Sequence, residues 1–165
     1  MSLRLLLQKL RQFLLPEANG ARGDDYSEPP DVLVAIYQRI SALGDQIESH
    51  AELAPYPHVR RRLRQIAQEK YEIAASLNRI IEAVNGVVPK GSRLPAIGKN
   101  HWRRLVRDLE DQRELDNVIA QFEFTLLRGV PGISNFLDRV KTLHQRHREI
   151  LVELIAVADP QASQT

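Results

Sequence analysis

Apolar residues recur along this chain at steps of three and four, and that spacing predicts helices over most of its length. Residues 2–15 form the first candidate. Leu3, Leu6, Leu7, Leu10, Phe13 and Leu14 share one face, and Arg4, Gln8, Lys9, Arg11 and Gln12 share the other. Pro16 ends it, and residues 16–30 mix Pro, Gly and charge without a period, which reads as a linker. A second helix opens after Pro29-Pro30, with Asp31 in its first turn and Val32, Leu33, Ile36, Ile40, Leu43 and Ile47 on its buried side. Leu53–Pro57 breaks it. A third helix runs from His58 to Val84, stopped by Asn85-Gly86. After a long connection over 86–100, a fourth spans His101 to Leu127. A fifth, with Ser134 as candidate cap, continues to Val157. Residues 159–165 are a polar tail.

Two of these segments repeat one another. Sliding Pro57–Val84 onto Pro131–Ala158 sets Val59 on Ile133, Leu63 on Leu137, Ile66 on Val140, Leu77 on Leu151, and Ile80 and Ile81 on Leu154 and Ile155. The exceptions are polar: Lys70 and Ile73 stand opposite His144 and His147. Short turns join the second helix to the third and the fourth to the fifth, and one long link joins the halves. The expected fold is therefore all-α: an antiparallel four-helix bundle over 31–158, built from two helical hairpins with a long crossover, plus the amino-terminal amphipathic helix 1–15.

Composition narrows the chemistry. The chain has no cysteine, which excludes disulfides, thiolate catalysis and cysteine-ligated zinc or iron–sulfur centres. A formal charge of +2 from 23 basic and 21 acidic residues is near balance and does not argue for nucleic acid in bulk. No apolar run reaches the roughly 18 residues that span a bilayer, and the start lacks the pattern of a signal peptide. A cytoplasmic location is the expectation. No glycine-rich phosphate loop, nucleophile elbow or triad is visible.

The spacing Leu63-x-x-Ile66-Ala67-x-x-Lys70-x-x-Ile73-Ala74, with Leu137-x-x-Val140 followed by His144-x-x-His147, resembles the ferritin-like superfamily and in particular its rubrerythrin-type members. The resemblance covers residues 30–158. It implies a bundle whose Glu-x-x-His positions are Lys70 and Ile73 in one half and His144 and His147 in the other. The family's upstream glutamates fall at Ile40 and Glu114. Ile40, Lys70 and Ile73 do not suit a di-iron carboxylate site, so the implied protein has lost its di-metal centre and carries no cofactor.

Two alternatives accompany that reading. His144 and His147 share a helix face and, with Glu114, make a two-histidine, one-carboxylate set suited to iron, manganese or zinc; the plainer reading sets either histidine at the solvated edge of its stripe. Lys70 must reach water or meet an acid, because an unpaired buried ammonium is costly. Its expected partner is Glu114 or another carboxylate of the same helix, filling the space a metal would take. The second alternative is nucleic-acid binding: Arg60, Arg61 and Arg64 form one cluster of candidate phosphate contacts, and Arg103, Arg104 and Arg107 another. Arg104 can pair instead with Asp108, and Arg107 with Asp111, as on a solvated face.

The sequence thus points to a non-catalytic structural or interaction module. The expected partner is another protein or a second copy of the chain. Residues 1–15 leave peripheral membrane contact open.

Overall fold

The computed structural model describes residues 28–88 and 98–158. These form four helices: α1 (Pro29–Glu52), α2 (Pro57–Ala83), α3 (His101–Gly129) and α4 (Ser134–Val157). No strand occurs among the described residues. The expected helix at 1–15, most of the linker and the tail from 159 lie outside them.

Helix boundaries follow backbone chemistry closely. Both α1 and α2 begin on a proline rather than after it. The missing N–H costs nothing in a first turn, where no intrahelical acceptor exists. Asn100 caps α3, its side-chain oxygen accepting from the Arg103 amide at 2.8 Å. Ser134 is not a cap; it is the first residue of α4, and Ile133 precedes it with no side-chain cap bond. The stop after α2 is a Schellman turn. Gly86 N–H donates to Ile81 at 2.8 Å and Asn85 N–H to Glu82 at 3.1 Å. The left-handed residue there is Asn85 (φ 59°), not the glycine. Gly86 is still required, since a Cβ on it would lie 2.6 Å from Ile81 Cγ2.

The core is aliphatic. Ile40, Ile47, Leu63, Ile66, Ile73, Leu77, Leu105, Leu115, Leu126, Leu137, Val140 and Leu151 are all buried. The internal repeat holds through most of its length, then slips in the last turn. Ile81 is buried where its counterpart Ile155 is half-exposed, and Leu154 is buried where Ile80 is half-exposed.

α1 packs on α2 and α3, and α4 packs on α3 and α2. Residue numbers run in opposite senses across the α1–α3 and α2–α4 faces. Arg39, Gln46 and His50 of α1 meet Glu114, Asp111 and Asp108 of α3 in that order. Arg62, Glu69 and Ser76 of α2 meet Glu153, His147 and Arg139 of α4. Gly44 lets α1 approach α2 at mid-height: a Cβ there would stand 3.0 Å from Tyr71 Cε1 and 3.3 Å from Lys70 Cβ.

A buried polar centre around Lys70

Lys70 lies on the apolar stripe of α2, and the tightness of the helices around it leaves no route to water. Its relative exposure is 0%, the same as Gln112 and His147, and that of His144 is 1%. The three groups singled out in the repeat therefore share one interior.

The ammonium donates to Oε1 of Gln112. Gln112 passes the polarity on, its Nε2 donating at 2.8 Å to Oδ1 of Asp116, one turn along α3. The same carboxylate stands 2.7 Å from Nδ1 of His144 and accepts from Arg148. On the other side, His147 Nε2 lies 2.7 Å from Glu69 Oε2, and Arg146 and Gln65 also donate to Glu69. Each neutral imidazole thus donates one N–H to a carboxylate. Their remaining nitrogens, Nε2 of His144 and Nδ1 of His147, are buried without a partner. The two rings tilt together with centroids 5.9 Å apart.

Burial sets the charge states. It pulls the Lys70 ammonium down to about 7, against the opposing pull of Asp116 and Glu69. It pulls His144 and His147 to about 4, and the nearby Lys70 charge adds to the effect, so both rings are neutral at pH 7. Burial alone would raise Asp116 and Glu69. Hydrogen bonds from His144 and His147, with help from Arg148 and Arg146, outweigh it and hold both carboxyls below their ordinary range.

The expected Lys70–Glu114 ion pair does not form. Glu114 sits on the outer side of α3, its side chain 54% exposed, and accepts from Arg39 of α1 at 3.0 Å. The acids that Lys70 senses are Asp116 and Glu69. Glu114 is likewise directed away from His144 and His147, whose carboxylate partners are Asp116 and Glu69. Among the described residues no three His, Asp or Glu side chains are grouped so as to hold a metal ion. A di-metal centre does not fit the residues present: Ile40 and Ile73 offer no donor, and Lys70 brings its own positive charge. Neither histidine lies at a solvated edge.

A second buried polar set was not legible in the charge pattern. Asp108 is fully buried and does not pair with Arg104. His50 Nδ1 faces its two oxygens at 2.8 and 2.9 Å, and Gln46 Nε2 donates to Oδ1 at 2.9 Å and to Asp111 Oδ2 at 3.0 Å. Burial raises the Asp108 carboxyl despite the His50 contact. The available signal was position: Asp108 and Gln112 continue the Leu105–Leu115 stripe, and His50 continues Leu43–Ile47. Arg107 does pair with Asp111, at 2.7 Å. Arg104 reaches the carbonyls of Gly98 and Leu53 instead, at 3.3 and 3.4 Å. Arg60 bonds the Ala54 carbonyl at 3.3 Å and Arg64 pairs with Glu48 at 3.2 Å, while Arg61 and Arg103 are exposed.

No helix among the described residues is long and apolar enough to cross a membrane. No protein-family model, curated protein or solved structure matches the chain.

Proposed function

We propose that this chain is a non-catalytic, ferritin-like bundle in which the Lys70 ammonium takes the place of a central metal, and that it serves as a structural or interaction module. The observation that carries the reading is the full burial of Lys70 between two carboxylates and two imidazoles. Such an arrangement supplies the positive charge that inward carboxylates need, without a metal ion. Lys70, His144 and His147 are buried, and each makes a hydrogen bond to a side chain of a neighbouring helix.

The pairing order of the helices supports an antiparallel bundle. α1 and α2 run oppositely and α2 and α3 run alike, so the end of α2 and the start of α3 stand at opposite ends of the bundle, as in ferritin-like connectivity.

The test is metal content with a stability readout. Protein purified from medium supplemented with iron, manganese and zinc is expected to contain none stoichiometrically, and added Mn²⁺ or Zn²⁺ should leave its Tm unchanged. Stoichiometric metal that disappears in His147→Ala would overturn the reading.

A further inference from the structure

The two arginine clusters, separate in sequence, meet at one end of the bundle. The turn after α1 joins them: Arg60 of α2 holds the Ala54 carbonyl, and Arg104 of α3 holds that of Leu53. α2 and α3 therefore present their amino termini on the same side, and neither carries an acid in its first turn. Arg60, Arg61, Arg62, Arg103 and Arg104 occupy the early turns instead. That placement works against the helix dipole, whose positive end disfavours cations. Arg60 and Arg104 tie down the turn and Arg62 meets Glu153, but Arg61 and Arg103 make no such contact among the described residues.

The acids nearby leave much of this charge unmatched. Arg62 is paired with Glu153, Arg64 with Glu48 and Arg107 with Asp111. Asp108 is buried on His50. Arg61, Arg103 and Lys99 are exposed and have no carboxylate partner among the described residues. Glu52 and Glu110 are the remaining exposed acids of α1 and α3 at this end. Nε of Arg104 and Nδ1 of His101 are buried without partners in the first turn of α3.

The end also carries exposed aromatic surface. Tyr56, 58% exposed, stacks on His58 with ring centroids 5.7 Å apart and planes 19° from parallel. Only Val59 separates the pair from Arg60 and Arg61 in the chain. Basic groups beside an exposed stacking surface suit a strand with phosphates and free bases. A lipid surface would ask for a broader apolar patch.

We propose that this end of the bundle binds single-stranded nucleic acid, with Arg61, Arg103 and Lys99 taking backbone phosphates and the Tyr56–His58 pair stacking a base. This deepens the interaction-module reading by naming its partner, and its test is independent of metal content.

Fluorescence anisotropy with a labelled 20-nucleotide single strand, measured across a salt series, is the experiment. Binding should weaken steeply with salt. R61A/R103A should lower the log Kd against log salt slope by about 1.4, roughly 0.7 for each single-strand phosphate that is no longer neutralised. Tyr56→Ala should weaken binding about tenfold with the slope unchanged, since stacking is not ionic. Arg79→Ala, an exposed arginine far along α2, should change neither. Circular dichroism and Tm should remain as in the parent, because these side chains take no part in the core. No salt-dependent binding at 50 mM salt would overturn the proposal. So would an equal loss in Arg79→Ala, or retention on phosphatidylserine vesicles without retention on the oligonucleotide.

Discussion

Oδ1 of Asp116 stands 2.7 Å from Nδ1 of His144, and the same carboxylate receives Gln112 and Arg148. One acid on α3 thus ties α4 to the glutamine that holds Lys70 of α2. Asp116→Asn keeps the shape but removes the charge that Lys70 and Arg148 face, and presents an amide N–H₂ where acceptors are needed. The expected loss is about 2 kcal/mol in urea unfolding, the scale of a charged hydrogen bond in a partly buried setting. Asp138→Asn, on an exposed turn of α4, should cost nothing measurable.

Stability should fall steeply in acid. His144 and His147 titrate near 6.5 when unfolded but only at about 4 in the fold. Between those values the unfolded chain binds more protons, so stability drops as pH falls through that window. Asp116 and Glu69, held low in the fold, act in the same direction further down. A tenfold change in proton affinity is worth about 1.4 kcal/mol, so the pair of histidines should dominate. Thermal unfolding at pH 7, 6, 5 and 4 reads the effect, and a flat profile would contradict the neutral buried imidazoles.

On the alkaline side the sign is unusual. Lys70 releases its proton at about 7 in the fold and at 10.5 when unfolded. The unfolded chain again binds more protons, so stability should climb from neutral toward pH 10. Tyr71 reverses the trend above that. Burial and its bond to Asp45 raise it to about 12, so the unfolded state sheds the proton first and stability declines. The maximum should therefore lie at about pH 10, where the two slopes cancel. Lys70→Met preserves volume and removes the buried cation; the climb should vanish, with stability at pH 7 unchanged or higher by about 1–2 kcal/mol.

The side chains that hydrogen-bond Asp108 are His50 and Gln46. Replacing His50 by Ala leaves a fully buried carboxyl with Gln46 alone. The expected cost is about 3 kcal/mol, from an orphaned acid and a cavity together. Asp108→Asn in the same background should recover part of it, which a double-mutant cycle measures.

The end of the bundle opposite the arginine clusters also makes a packing prediction. A Cβ on Gly129 would stand 2.2 Å from Cγ of Pro29 and 3.0 Å from its Cβ. A proline ring cannot swing aside. Gly129→Ala should destabilise by about 1–3 kcal/mol through displacement of the first turn of α1, and Pro29→Ala in that background should relieve most of it.

The four helices were legible in the sequence because period 3.6 leaves a mark on every turn, and the prolines and Asn85-Gly86 bound the segments. Lys70 stood out for the same reason, as a cation on an unbroken apolar stripe. Its partner did not. Choosing among Gln112, Glu114 and Asp116 depends on a rotation of α3 of about 100° per residue, and the sequence holds no record of that rotation beyond its apolar stripe. Read strictly, the stripe through Leu105, Leu109, Leu115 and Val118 turns Gln112 inward and Glu114 out, as the structure has it. Asp108 was hidden because local i,i+4 pairing with Arg104 and burial against His50 are both consistent with its position. Only the close packing of α1 on α3 decides between them. Segment boundaries and the apolar core were thus local matters that the chain settles by itself. Which polar groups share the interior, and that two distant arginine clusters stand at one end, were decided by how the helices pack.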